Sequence, residues 1–128
     1  MEYEKKYKIK KEKLILDLEN AVKNSQNLLD QIGFFIKSIY FENGRNEDDF
    51  IIIEFFNREQ AKIKIIFWIN FWLKFEFDNN DSIIIIKFFK NENKTFEKDI
   101  RYSELNGQNL NGKIHFLIEQ ISVLYIEN

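Results

Sequence analysis

The chain has 128 residues, of which 31% are charged and 45% hydrophobic, and its formal net charge is −2. This length and balance predict one globular domain over residues 1–128 and exclude a disordered chain. Cysteine is absent, which excludes disulfides and thiolate metal sites and fits a reducing cytosol.

The amino-acid usage is biased. Phenylalanine alone supplies 14 residues and proline is absent, which we interpret as the codon bias of an AT-rich bacterial or phage genome. No N-terminal segment has the pattern of a signal peptide, and no apolar run approaches the roughly 18 residues of a transmembrane helix. We therefore expect a cytoplasmic protein.

The first thirteen residues are basic, with six lysines against three glutamates, whereas the rest of the chain is mildly acidic. We expect residues 1–12 to form a basic arm that frays. The lysines of the first thirteen residues are candidate nucleic-acid contacts, because lysine binds phosphate; they are Lys5, Lys6, Lys8, Lys10, Lys11 and Lys13. The alternative is a solvated helix start in a lysine-rich chain.

The first predicted element is a helix from about Lys10 to Ile32. Apolar residues recur there at steps of three and four, which is the helical period, and Gly33 follows as a candidate C-cap.

Strands dominate the middle of the chain. Segments 34–42, 50–56 and 83–90 are rich in aromatic and β-branched residues, and polar turns separate them. Residues 95–102 predict a weaker edge strand, guarded by Lys98 and Arg101. Short connections between strands favour antiparallel neighbours.

Segment 61–77 alternates apolar and mixed positions over sixteen residues or more, and as one strand it would span roughly 53 Å. The pattern allows two interpretations: a single bent strand, which we favour, or a hairpin with a three-residue loop centred on Asn70. Either way the odd positions predict the core face.

Three large apolar residues of this segment, Ile66, Trp68 and Trp72, share the opposite face. We predict them as anchors of a partner-binding surface, because aromatic clusters are enriched at interface hot spots. The predicted polar rim is Lys62, Lys64 and Lys74. The alternative is that the protein's own helices cover this face, one helix on each side of the sheet.

A second helix ends the chain, since Leu110, Ile114, Leu117, Ile121 and Leu124 recur at helical steps, with Asn111 as a candidate N-cap. The predicted fold is therefore α+β: an antiparallel meander of four to five strands, flanked by an N-terminal and a C-terminal helix.

Residues able to support catalysis are sparse. His115 and Glu119 lie one helical turn apart, but two ligands make a poor metal site. The acidic loop of Glu47, Asp48 and Asp49 fits solvated turn residues or contact with a basic partner. No phosphate loop or nucleophile motif is present in the sequence. We predict no metal, no cofactor and no enzymatic activity.

Three functions follow, in order of preference. The first is a small inhibitor that occludes a partner protein, such as a toxin or a component of a defence system; immunity proteins and phage anti-defence or anti-CRISPR proteins have this general profile. The second is a nucleic-acid-binding module that uses the basic arm. The third is a ligand-binding or enzymatic domain with a pocket between sheet and helix. Homodimerisation is compatible with all three.

Overall fold

A computed structural model of the chain describes residues 2–43, 49–69 and 83–127. Two helices open the fold, α1 (Glu2–Asn24) and α2 (Gln26–Ile32). Five strands follow, and a third helix ends the chain: β1 (Phe35–Asn43), β2 (Asp49–Phe56), β3 (Ala61–Ile69), β4 (Ile83–Lys90), β5 (Asn93–Arg101) and α3 (Leu110–Glu127).

The strands form one antiparallel sheet in the order β1-β2-β3-β4-β5. Each strand pairs with its neighbours in sequence, so the sheet is a meander. The predicted α+β class, the antiparallel pairing and the flanking helices are thereby confirmed. Among the described residues β5 lies at one edge of the sheet, as predicted, and β1 lies at the other.

The N-terminal helix starts earlier than predicted and is broken. Its backbone is helical from Glu2, which includes the basic stretch, and a turn at Ser25 separates α1 from α2. The predicted C-cap at Gly33 is confirmed. Gly33 has φ 75°, and the N–H groups of Gly33 and Phe34 donate to the carbonyls of Asp30 and Leu29. This is the Schellman pattern, which favours glycine at the left-handed position.

Two tight turns at the same end of the sheet fix the hairpin registers. After β2, the side-chain oxygen of Asn57 accepts the N–H groups of Glu59 and Ala61 at 3.0 and 2.8 Å, an Asx-type turn. Between β4 and β5, Asn91 and Glu92 both have positive φ, which is the type I′ geometry that matches strand twist.

The chain reaches α3 through a 3₁₀ turn at Tyr102–Glu104. The N-cap of α3 is Asn109, whose side chain accepts the N–H of Gly112 at 2.9 Å. The predicted N-cap, Asn111, is therefore wrong by two residues; its side chain instead accepts a hydrogen bond from Asn24 at 3.1 Å. The sequence could not separate the two asparagines, because they flank Leu110, the first residue of the apolar repeat.

The helices pack on one face of the sheet. The main core joins helix residues such as Leu18, Val22, Ile114 and Leu117 to strand residues of that face alone. In β3 these are Ala61, Ile63, Ile65 and Phe67, so the predicted odd-numbered core face is confirmed up to Phe67. The remainder of segment 61–77, and with it the choice between a bent strand and a hairpin, lies outside the described residues.

Within the described ranges, none of the helices is both long enough and apolar enough to cross a membrane.

Candidate functional site

The face of the sheet turned away from the helices, hereafter the helix-free face, is organised in rows that run across β2, β3 and β4. The register aligns Phe50 with Trp68 and Ile83, and Ile52 with Ile66 and Ile85. These six residues, the apolar rows, lie side by side because side chains two apart along a strand share a face. None of the six belongs to the main core that the helices cover.

The apolar rows are partly shielded within the chain itself. Ile52 and Ile66 are buried, at 4% and 9% exposure, whereas Phe50, Trp68, Ile83 and Ile85 are half-buried. The rings of Phe50 and Trp68 stack obliquely with centroids 6.1 Å apart. Of the predicted anchors, Trp68 therefore keeps part of its surface accessible, whereas Ile66, in the next row of the same face, is buried.

The indole of Trp68 carries a polar group that has no partner among the described residues. Its Nε1 is buried and has no hydrogen-bond acceptor in the part of the chain that the structure describes. A buried donor left unsatisfied costs about 1–3 kcal/mol. This cost is specific to the indole, because a phenylalanine ring has no N–H group to bury.

A charged row borders the apolar rows. Glu54 pairs across the strands with Lys64, and Lys64 with Lys87. Glu54 is 7% exposed; its carboxylate lies 3.4 Å from the Lys64 ammonium and accepts a hydrogen bond from the Tyr40 hydroxyl at 3.4 Å. Burial, the charges of Glu54 and Glu42, and this hydrogen bond raise the pKa of Tyr40. The phenol is therefore neutral, and a donor, at physiological pH.

The charged row is largely neutralised within the protein. On its other side Lys87 lies 3.7 Å from Glu97, which also pairs with Lys94 at 3.4 Å. Because the lysines of this row already have carboxylate partners, it presents little net positive charge to an incoming polyanion.

The fourth row lies at the end of the face formed by the two tight turns, and it aligns Phe56, Lys62 and Phe89. Phe56 is 41% exposed and lies beside Phe35, which is 39% exposed, with ring centroids 6.0 Å apart. The Lys64 ammonium lies 5.5 Å from the Phe89 ring centroid, within the range of a cation–π contact. Of the predicted rim, Lys62 and Lys64 thus lie on the same face as Trp68.

Several predicted site residues cannot be placed with the helix-free face. Trp72, Lys74, Glu47 and Asp48 lie outside the described residues, as do the side chains of Asp49, Lys6, Lys10 and Lys11. The other lysines of the basic stretch, Lys5, Lys8 and Lys13, are exposed on α1.

His115 belongs to a different cluster, on the helix side. Its Nδ1 lies 3.2 Å from the Ser25 hydroxyl and its Nε2 lies 3.1 Å from a Glu119 carboxylate oxygen. The order serine, histidine, carboxylate is that of a nucleophilic triad. Ser25 is only 1% exposed, however, so a substrate cannot reach its hydroxyl in this conformation. The cluster instead ties the break between α1 and α2 to α3.

Metal ligands do not cluster in the described ranges, where no group of three His, Cys, Asp or Glu side chains could hold an ion.

Sequence reasoning did not assign four members of the apolar rows to this face, namely Phe50, Ile52, Ile83 and Ile85, although it predicted strands over 50–56 and 83–90. Cross-strand register, which the sequence does not state, was needed to align them with Trp68. Ser25 and Tyr40 were also missed, because neither residue has a local motif.

Comparison with protein-family models, with curated proteins and with solved structures finds no match to this chain.

Proposed function

We propose that this protein is a binding module for another protein and that it inhibits its partner by steric occlusion. The observation that carries the proposal is the placement of the helices. All three described helices lie on one side of the sheet, and the other side carries two adjacent rows of aromatic and aliphatic residues. Surfaces of this composition, bordered by charged residues, are typical of protein interfaces.

Trp68 is the proposed anchor of the interface. It is half-buried and stacks on Phe50, so part of its apolar ring surface is available for contact. A tryptophan at an interface hot spot contributes about 2 kcal/mol or more to binding, which is roughly thirtyfold or more in affinity. Phe50, Ile83 and Ile85 surround it and would exclude water from the contact.

A protein partner is favoured over a nucleic acid because of charge. The lysines of the charged row are paired with Glu54 and Glu97, so the described part of the helix-free face lacks a continuous series of free cations. Phosphate recognition depends on such cations. The lysines of α1 remain the basis of the alternative, a nucleic-acid-binding module, for which no described contact adds support.

The test combines partner capture with matched variants. The tagged chain, expressed in its native host, is used to purify and identify its principal protein partner, whose affinity is then measured with purified components. We expect Trp68→Ala and Ile85→Ala to weaken binding by about tenfold or more. Val123→Ala on α3 is the control, because Val123 is an exposed apolar residue on the helix side and should leave affinity unchanged.

Circular dichroism of each variant establishes that it folds. If folded Trp68→Ala and Ile85→Ala proteins bind as tightly as the parent chain, the helix-free face is not the interface. Inhibition is tested separately, by asking whether the parent chain blocks the partner's activity at stoichiometric concentration and whether the weakened variants do not.

A further inference from the structure

A cavity of about 670 Å³ opens at the end of the helix-free face where the two tight turns meet. Its size falls within the range of ligand and peptide-side-chain pockets. The side chains that matter for its chemistry are Lys37, Phe56, Lys62 and Phe89. Each of the four belongs to a different strand, β1 to β4 in chain order, so the site exists only in the folded sheet.

The rim of this cavity is fixed by backbone hydrogen bonds. The Asx-type turn at Asn57 holds one side, and the N–H of Asn91 donates to the carbonyl of Gln60 at 3.4 Å, which joins the two turns. Gln60 and Asn91 both have positive φ and line the cavity. A rim built this way is preorganised, which lowers the entropy lost on binding.

The cavity combines apolar walls with lysines that have no ion-pair partner in the part of the chain that the structure describes. Phe56 is well exposed and Phe89 is half-buried, so both rings can contact an apolar group. Lys37 and Lys62 form no ion pair with any described carboxylate, in contrast to Lys64, Lys87 and Lys94. Lys37 lies at the β-bulge where the register of β1 and β2 shifts, and bulges commonly redirect a side chain at a sheet edge.

We propose that this cavity binds an acidic segment of a partner protein. One carboxylate of that segment would pair with Lys37 and Lys62, and a neighbouring apolar side chain would pack on Phe56 and Phe89. The inference rests on the proposed function and deepens it, because it gives the chemistry of the partner. Charge complementarity favours this occupant, because Lys37 and Lys62 have no ion-pair partner among the described residues and an acidic segment brings one or two negative charges.

A nucleic acid is the less favoured occupant of the same cavity. Its phosphates would follow one another along the face, and the next positions are occupied by the internally paired lysines and by Glu54. Glu92 also lines the cavity and would repel an extended polyanion more than a single carboxylate.

The test is an NMR titration of the full ¹⁵N-labelled chain with a synthetic peptide of alternating aspartate and leucine. The controls are the same peptide with asparagine in place of aspartate and an oligothymidylate of equal length. We expect saturable amide shifts around Lys62 and Phe89 with the acidic peptide, and weaker shifts at higher salt. The double variant Lys37→Glu with Lys62→Glu should bind about tenfold more weakly.

A matched double variant, Lys23→Glu with Lys98→Glu, makes the same charge change at exposed lysines away from the cavity and should leave binding unchanged. The proposal is overturned if the acidic peptide shifts no residue of the cavity, if the asparagine peptide binds equally well, or if oligothymidylate binds there more tightly.

The natural partner separates this inference from the proposed function. If Trp68→Ala weakens partner binding while Lys37→Glu with Lys62→Glu does not, the partner docks on the helix-free face without an acidic segment in the cavity, and only this inference fails. If both sets of variants bind the partner unchanged, the proposed function fails as well.

Discussion

The charged residue with the least exposure in the described part of the chain, Glu54, shows how single residues shape the helix-free face. It lies at 7% exposure between the Tyr40 hydroxyl and the Lys64 ammonium. A buried carboxylate is tolerated only when nearby donors replace its lost hydration. Glu54 therefore divides the apolar rows from the lysine-containing cavity.

Removing the cationic partner of Glu54 should destabilise the fold. In Lys64→Ala the carboxylate keeps the Tyr40 hydroxyl as its described donor, so we expect the free energy of unfolding to fall by about 1–3 kcal/mol. Adding Glu54→Gln should recover part of this loss, because the buried charge disappears. Urea unfolding measures both.

Lys87→Ala is the matched control for this prediction. Its partner Glu97 is much more exposed than Glu54, and exposed ion pairs contribute about 0–1 kcal/mol. An equal loss of stability in Lys87→Ala and Lys64→Ala would show that the burial of Glu54 does not matter.

The raised pKa of Tyr40 predicts a pH dependence of stability. In the folded chain the phenol keeps its proton above the ordinary pKa of about 10, because burial and the nearby carboxylates disfavour the phenolate. The unfolded chain loses this proton at lower pH, so the Tyr40 contribution to stability is full below pH 10 and falls as pH rises above it. Tyr40→Phe should show a shallower alkaline loss of stability.

Urea unfolding of both proteins across this range, with phenolate absorbance followed in the folded state, checks the prediction. Parallel alkaline profiles for the parent chain and Tyr40→Phe would contradict it. At neutral pH we expect Tyr40→Phe to cost only about 1 kcal/mol or less, since the lost hydrogen bond is long.

Among the elements, the entry into α3 depends on a close contact between two glycines. Gly107 has φ 130°, and a Cβ added there would lie 2.7 Å from backbone atoms of Gly112 and Lys113. That distance is a steric clash with backbone, which cannot move aside without displacing the first turn of α3.

Gly107→Ala should therefore reduce the free energy of unfolding by about 2 kcal/mol or more, since both strain and overpacking oppose it. Gly33→Ala is the matched control: φ is also positive there, at 75°, but nothing lies within 4 Å of an added Cβ. We expect it to cost about 1 kcal/mol. Thermal unfolding of the two variants separates the clash from the backbone preference, and equal losses would contradict the predicted contact.

Most elements were predictable because their signals are local. Strand alternation and polar turns predicted β1, β2, β4 and β5 to within a few residues, and Gly33 correctly marked the end of the N-terminal helices. The break at Ser25 was not predictable, since the apolar repeat continues across it. The hydroxyl of Ser25 is satisfied by His115, a residue from the other end of the chain, and such a contact leaves no pattern in the local sequence.

At the scale of the whole molecule, the placement of the helices decides which surface is available. Helices α1 and α3 lie together on one side, with a side-chain hydrogen bond between Asn24 and Asn111 where α1 ends and α3 begins. Because both helices lie on this side of the sheet, the apolar rows, the charged row and the cavity lie on the opposite side. The proposed interface and the proposed acidic-segment site are thus adjacent regions of one face.

The sequence by itself determined the α+β class, the meander order, the core side of β3 and the presence of large apolar residues on the opposite side. These follow from side-chain period and turn chemistry, which act between residues close in the chain. Only the tertiary structure decided that the helices share one side, that Trp68 is aligned with Phe50 and Ile83, and that Lys37 and Lys62 border one cavity. Those arrangements depend on strand register and helix packing, which are set by contacts between distant residues.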